Sequence, residues 1–405
     1  MAQLLIPQKG SMRTTKTIKI AVITGTRADY GLLIWLLREL EQDSDFEVFL
    51  VATGMHLSGE FGDTKNEITK DGFSIYREIP ILLGGDDGPS IARSVGVGTI
   101  AMAECLSDIE PDCLVILGDR FEMLAAATAA LFLRIPIAHI GGGDITEGAF
   151  DDNIRHCITK MSTLHFVTNR QSMAVVAQLG EPSSRIFNVG SPGLEYLSRV
   201  PQIPRDQLEL ELQFRFCQQN VLVTYHPETL SNSPVRDQIE QVLRALDRID
   251  PSIGIVFTKS NADTGGREIN DAIDAYVRKR KNTKAFASLG QAKYLSTLKQ
   301  CDVVAGNSSS GIYEAPSVGT YTVNIGERQK GRLMAPSVMH CPTVATSISE
   351  AIESSLTRPK GESFTNPYAS SSLTSQLIVQ TLKSSPLLGK SGLKTFTILN
   401  HPNQV

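Results

Sequence analysis

Short, almost wholly apolar runs recur along the first half of the chain at residues 18–24, 47–52, 113–117, 135–140, 163–167 and 186–189, with helical spacing between most of them. A strand that is apolar on both sides has to be covered on both sides, and strands of that kind alternating with helices form a parallel sheet between two helical layers. The pattern pauses after Leu197, at Pro201, Pro204 and a charged helical stretch over 207–218. It resumes with apolar runs at 220–224, 253–258, 284–287, 302–305 and 320–324. At 405 residues the chain is too long for one core. The expected fold is therefore α/β, with two doubly wound, Rossmann-like domains over 17–198 and 205–365 and a cleft between them. A C-terminal helix within 366–383, apolar at helical spacing over 371–383, is expected to pack back on the first domain. Residues 384–405, rich in Ser, Gly, Pro and Asn, read as a loosely held tail.

Composition removes several function classes. The 39 basic and 43 acidic residues give a formal charge of -4, so no broad basic field exists for nucleic acid, and a phosphate would have to be held by local donors. No apolar run approaches the roughly 20 residues of a membrane span, and residues 1–16 contain no apolar signal core. A cytoplasmic protein with no membrane partner is expected. Six cysteines without a CxxC pair read as reduced, buried thiols with no zinc site.

The polar motifs fall just after predicted strands, where parallel sheets bind ligands. Gly306-Asn307-Ser308-Ser309-Ser310-Gly311 should open a helix whose free amides and hydroxyls suit a phosphate, and Glu314 follows one turn later. A carboxylate there repels phosphate but can accept two hydroxyl hydrogen bonds, as a ribose offers. A capped helix without ligand is the plainer alternative. At 24–31, Arg27 supplies a fork of donors for a phosphate, while Asp29 caps the helix or neutralises Arg27. At 117–122, Asp119 is a base or orienting group with Arg120 as its partner.

The densest region runs from His139 through three glycines to His156 and places Asp144, Glu147, Asp151 and Asp152 close together. Crowded carboxylates should raise at least one pKa and so supply both acids and bases, as proton removal from carbon requires. A solvated acidic loop in which Asp151 or Asp152 caps the helix of Arg155 is the alternative, and a Mg²⁺ site is conceivable although the spacing fits no calcium loop. In the second half, His226, fixed by Pro227, reads as a phosphate donor or an acid. Asn261 and Asp263 occupy one later strand-end loop and Arg328 and Arg332 another; the two arginines could meet a diphosphate or carry only surface charge.

Taken in order, GTRADYG, GDR, HIGGGD…DDNIRH, YHP, NADTGG and GNSSSGxxE resemble the hydrolysing UDP-N-acetylglucosamine 2-epimerases, over about residues 18–382. The resemblance implies a GT-B fold, a homodimer or homotetramer, no metal or nicotinamide cofactor, and a UDP-sugar substrate. It implies removal of the carbon-2 proton, loss of UDP to leave a 2-acetamidoglucal, and addition of water, yielding a mannosamine-type sugar for sialic or related nonulosonic acids. Asp119, Asp151 and Asp152 then fall on acid/base or sugar-orienting positions with Arg155 as partner. Arg27, His226, Ser308 and Ser309 fall on phosphate positions, and Asn261 and Glu314 on nucleoside positions.

One departure matters. Where mammalian-type and non-hydrolysing relatives have a catalytic glutamate two residues after the motif histidine, this chain has Gly141, so Asp144 or Glu147 is expected to supply that carboxylate. A glycine there also leaves room for a 4-acetamido group, keeping UDP-2,4-diacetamido-2,4,6-trideoxyglucose, the legionaminic acid precursor, open beside UDP-N-acetylglucosamine. Leu32 and Leu33, where non-hydrolysing enzymes usually place a lysine, lean towards hydrolysis. A GT-B glycosyltransferase and a non-catalytic nucleotide-sugar sensor are the alternatives of other classes.

Overall fold

The computed structural model describes residues 17–59, 64–84, 87–146, 151–228, 233–260, 265–389 and 394–398. The first sheet contains β1 (Ile18–Thr24), β2 (Phe46–Thr53), β3 (Ile75–Ile79), β4 (Cys113–Leu117), β5 (Ile137–Ile140), β6 (Leu164–Val167) and β7 (Ile186–Asn188) in the order β3-β2-β1-β4-β5-β6-β7. The second contains β8 (Asn220–Thr224), β9 (Gly254–Thr258), β10 (Thr283–Phe286), β11 (Val303–Gly306), β12 (Tyr321–Ile325) and β13 (Val338–Cys341) in the order β10-β9-β8-β11-β12-β13. Every pairing is parallel. Strand order reverses between β1 and β4 in one sheet and between β8 and β11 in the other, and such reversals open a crevice at the carboxyl ends of the strands.

Eleven of these strands coincide, within a residue or two, with the apolar runs. The two that sequence periodicity missed, β3 and β13, are sheet edges. In β3 burial alternates, with Tyr76 and Glu78 facing outward, because an edge strand is covered on fewer sides and need not be apolar throughout.

Apolar packing continues from one sheet to the other. A single buried cluster includes Ile20 and Val22 of β1, Leu222 of β8, Leu298 and Ile378, while separate clusters fill the outer side of each sheet. Helix Thr374–Ser384 buries Ile378, Val379 and Leu382 against helix Arg27–Gln42. Its N-terminus is held by buried Glu195, which accepts from Ser375 N (2.9 Å), Ser375 Oγ (2.5 Å) and Arg199 Nε (2.6 Å).

The expectation of a loose tail over 384–405 needs correcting at 394–398. Lys394 pairs with buried Glu181 at 2.9 Å and donates to the carbonyls of Lys160 and Ser162 at 2.5 and 2.6 Å, capping the C-terminus of helix Asp151–Met161. A lysine there meets the negative end of the helix dipole, and partners so distant in sequence leave no local signal. The thiols are also less uniform than expected: all six are free, but Cys157 is exposed and Cys217 half-buried. Among the described residues no helix is long and apolar enough to cross a membrane.

Glu195→Ala is predicted to lower stability by about 2–4 kcal/mol, since it strands buried donors on Ser375 and Arg199. A urea midpoint indistinguishable from the parent would refute the assignment of Glu195 as the anchor of the C-terminal helix.

Candidate active site

Helix Asp151–Met161 begins with Asp151 and Asp152 in its first turn, where carboxylates favour the positive end of the dipole. Arg155 lies one turn later, almost wholly buried, and its side chain reaches back toward that end. The guanidinium gathers the loops around it. One nitrogen donates to Asp119 Oδ2 and to Thr146 Oγ1 (3.1 Å); the other donates to Asp152 Oδ1 (2.9 Å) and to the carbonyl oxygen of Asp144. Asp152 also accepts from Thr146 N at 2.7 Å and faces His156 Nε2 at 3.2 Å. Two of the predicted carboxylates, Asp119 and Asp152, thus converge on one cation, which offsets their mutual repulsion, and Asp144 joins them through its backbone carbonyl.

Asp144 has a different setting from its neighbours. Its Oδ1 accepts from Thr168 Oγ1 (2.7 Å) and Ser172 Oγ (2.6 Å), and its Oδ2 accepts from the phenol of Tyr313 (2.7 Å), which belongs to the second sheet's half of the molecule. This carboxylate is a junction between the two halves. Glu147, the other candidate for the missing carboxylate, lies outside the described residues, as do Asn261 and Asp263.

At the β1 and β4 ends the structure differs from the expected Arg27–Asp29 pairing. Thr26 is the cap, its hydroxyl accepting from Asp29 N at 3.2 Å, and Arg27 extends to Glu67 (2.9 Å) and across to Ser288 Oγ (2.8 Å). The Asp29 side chain is buried instead, and its Oδ2 has no hydrogen-bond partner among the described residues. Burial pushes its pKa up to about 6, Arg120 opposes this, and Glu122 adds to it. Arg120 pairs with Glu122 at 3.2 Å rather than with Asp119, which Arg155 has taken. Burial works against the charge on Arg120, but Glu122, Asp29 and Asp151 together hold its pKa above the usual value.

His139 is structural. Its Nε2 must carry the proton, because it lies 2.8 Å from the carbonyl oxygen of Gly118, and Nδ1 then accepts from Thr159 Oγ1 at 3.2 Å. Burial pushes its pKa down to about 3, so the ring stays neutral while tying β4 to the Arg155 helix.

On the opposite wall, Asn307 organises the β8 and β11 ends. Its Oδ1 accepts from His226 N (2.7 Å), its Nδ2 donates to His226 O (2.8 Å), and its own carbonyl accepts from Arg328 (3.0 Å) and Gln329 (2.8 Å). The preceding residue has to be glycine: Gly306 has φ +141°, and a Cβ there would stand 1.9 Å from Thr224 O. Ser308 accepts weakly from Ser310 N at 3.4 Å. The helix that follows is a single turn, Ser310–Tyr313, because Pro316 soon ends it in a 3₁₀ segment, Ala315–Val318. The dipole contribution expected from a full helix is therefore small, and an anion here would rely on individual donors. His226 lies buried against Ser260 Oγ (3.2 Å). Desolvation first, and Arg328 second, lower its pKa to about 3, which favours the uncharged imidazole where no anion lies beside it.

Glu314 is buried. A Cβ on Gly193, from the first half, would stand 2.8 Å from its Oε1, and its Oε2 has no hydrogen-bond partner among the described residues. Burial raises its pKa to about 7. The reading of Glu314 as a hydroxyl acceptor thus gains a physical correlate, because an unsatisfied buried carboxylate oxygen asks for a donor. Sequence reasoning missed Tyr313, whose only signal was its place directly before Glu314, and the Arg120–Glu122 pair, two residues apart in a motif read for its aspartate.

Residues 38–383 match the family model described as UDP-N-acetylglucosamine 2-epimerase. The chain is 41% identical over 322 residues, covering 79% of this chain and 83% of the other, to the GDP/UDP-N,N'-diacetylbacillosamine 2-epimerase (hydrolyzing) of Campylobacter jejuni. It is 35% identical over 369 residues, covering 91% and 96%, to the UDP-N,N'-diacetylbacillosamine 2-epimerase (hydrolyzing) of Legionella pneumophila. A UDP-GlcNAc 2-epimerase from Neisseria meningitidis, solved with UDP-GlcNAc bound, superposes with a TM-score of 0.75 at 16% identity, covering 91% of this chain and all of that one. That likeness places the two sheets in the GT-B arrangement.

Arg155→Met is predicted to cost about 3–5 kcal/mol of stability by leaving Asp119 and Asp152 without their cation, with Arg155→Lys recovering only part because a point charge cannot replace the fork. Denaturant titration of the two variants checks this; equal stability of the Arg155→Met variant and the parent would show that the cluster is solvated rather than held by Arg155.

Proposed function

The chain belongs to the UDP-N-acetylglucosamine 2-epimerase family, an enzyme family, and we propose on that footing that it hydrolyses a UDP-2-acetamido sugar with inversion at carbon 2. The observations that carry this reading are an arginine-held carboxylate pair at the strand ends of the first sheet and, in the second half, a carboxylate, Glu314, whose Oε2 is enclosed without a hydrogen-bond partner among the described residues. One wall is suited to moving protons and the other to holding a nucleoside.

In the proposed sequence a carboxylate takes the proton from carbon 2 as the bond from carbon 1 to the diphosphate breaks, leaving UDP and a 2-acetamidoglucal. Water then adds across that double bond, hydroxide to carbon 1 and a proton to carbon 2 from the opposite face. Asp119 and Asp151 are the proposed acid/base pair. Asp119 is engaged only through Oδ2 by Arg155 among the described residues, and Asp151 opens the adjoining helix within electrostatic reach of Arg120. Asp152 and Asp144, each committed to several donors, are proposed to position them. Glu314 would accept the ribose hydroxyls. Ser308, Ser309, Arg328 and the neutral N–H of His226 would meet the diphosphate, whose charge would in turn raise the pKa of the imidazole.

For the sugar we favour UDP-N,N'-diacetylbacillosamine, the 2,4-diacetamido-2,4,6-trideoxyglucose nucleotide. The two relatives named above carry that substrate in their names, and among the described residues, its chain neighbours aside, no atom lies within 4 Å of where a Cβ on Gly141 would project. The product would be the corresponding manno sugar, a precursor of legionaminic acid. UDP-N-acetylglucosamine, implied by the motif set, is the second reading, with a mannosamine for sialic-type acids as product.

The direct test is proton and phosphorus NMR in D₂O with each nucleotide sugar and no acceptor. Release of UDP with a free manno sugar deuterated at carbon 2 is expected, faster from the diacetamido substrate, and Asp119→Asn and Asp151→Asn should each lower the rate about 10²- to 10⁴-fold. A folded protein that binds UDP but turns over neither sugar would favour a glycosyltransferase or a sensor.

Glu314 yields a separate pH prediction. Its raised pKa of about 7 means that the acceptor form is lost as pH falls through that value, so UDP affinity should be constant above pH 8 and weaken by up to about tenfold per unit below 7. Calorimetric titration should show this slope in the parent chain and none in Glu314→Gln; the same slope in both would assign it to another group.

A further inference from the structure

Two walls that must act on one substrate need a means of registering each other, and the phenol of Tyr313 spans them. Its hydroxyl donates to Asp144 Oδ2 at 2.7 Å, between residues 169 positions apart in sequence. On its own side the ring is clamped: Tyr368 packs against it with centroids 4.1 Å apart, and the Arg332 guanidinium lies 5.4 Å from its centroid on the same half of the molecule. The Tyr313 carbonyl accepts from Asn366 Nδ2 at 2.7 Å. Tyr313 closes the turn that begins at Ser310 and immediately precedes Glu314, so the backbone that carries this ring is that of the proposed nucleotide-side turn.

On the other side Asp144 has no spare freedom. Thr168 and Ser172 hold Oδ1, and the Asp144 backbone carbonyl accepts from the same Arg155 that holds Asp119 and Asp152. A shift of Asp144 therefore moves the arginine that fixes both aspartates. Burial, with the Asp144 carboxylate, keeps the Tyr313 phenol protonated well beyond neutral pH, so it remains a donor throughout the working range. Other contacts also join the halves, among them the shared apolar cluster, Arg27 to Ser288 Oγ at 2.8 Å on an exposed rim, Ser191 N to the Tyr368 carbonyl at 2.9 Å and Arg332 to Thr146 Oγ1 at 3.5 Å, but none of these polar contacts ends on the Asp144 carboxylate.

We infer that Tyr313 is a positioning residue that ties the nucleotide-binding turn to the acid/base loop, so that the carboxylates take their working geometry only when the two halves have closed on a seated nucleotide. The inference rests on the function proposed above. It gives Asp144 a role as the receiver of that tie and places Tyr313 outside the chemistry itself. Misplacement of reacting groups by about 1 Å can cost 10²-fold in rate, which sets the scale of the effect.

The test uses the full chain carrying Tyr313→Phe, which keeps the ring and its packing and removes one oxygen. The dissociation constant for UDP should stay within about twofold of the parent, while kcat at saturating nucleotide sugar falls about 10- to 100-fold. In solution scattering with saturating UDP, the variant should have a larger radius of gyration than the parent. Ser172→Ala, which removes a donor to the same carboxylate from within the first half, should keep the parent's UDP-bound radius. An unchanged kcat, a loss of UDP affinity in step with the loss of rate, or equal UDP-bound radii for the parent and Tyr313→Phe would each overturn the tie. The scattering comparison needs no turnover: if the parent processes neither sugar yet the radii differ as expected, the epimerase reading fails and the tie stands.

Discussion

The buried guanidinium of Arg155 is the interaction on which the rest of the cleft depends. Removing an arginine from water is costly, and it is tolerable here because each face of the fork meets an acceptor: Asp119, Asp152, Thr146 and the Asp144 carbonyl. Those acceptors come from the end of β4, from the glycine-rich loop after β5 and from the first turn of the following helix. One side chain thus sets the relative positions of three loops that the sheet alone only brings near one another.

The sheets contribute the crevice. Because strand order reverses beside β1 and beside β8, the loops at those strand ends diverge and leave room, and an apolar body shared by both halves holds the two sheets together. Close backbone approach at Gly306 and the cover that Gly193 gives Glu314 show how tightly the second wall is drawn. The proposed chemistry draws on unequal compensation: Arg155 holds Asp119 and Asp152, while Asp29 on the same wall and Glu314 on the other each keep an oxygen without a hydrogen-bond partner among the described residues.

Much of this was legible in the sequence. The nine interior strands were apparent because a strand buried on both faces must be apolar throughout, and that pattern is local. Of the four edge strands, β7 and β10 were still found, whereas β3 and β13 were not, because an edge has fewer covered sides and need not be apolar throughout. The family resemblance set Arg155 beside Asp119 and Asp152, as the structure does, whereas spacing alone paired Asp119 with its sequence neighbour Arg120, which instead meets Glu122. Spacing also missed the setting of Asp29, read as a helix cap or as the partner of Arg27, because Thr26 is the cap and the buried Asp29 side chain lies within electrostatic reach of Arg120 and Glu122.

What the sequence by itself determined was therefore the class of fold, the strand ends that carry polar groups and the residue types available there, all of which follow from periodicities of a few residues. Tertiary structure alone decided the state of those groups. His226 is neutral, Asp29 and Glu314 titrate near neutrality, and Asp144 accepts from Tyr313, because desolvation and hydrogen bonding depend on what segments a hundred or more residues away place against a side chain, and no local pattern records that.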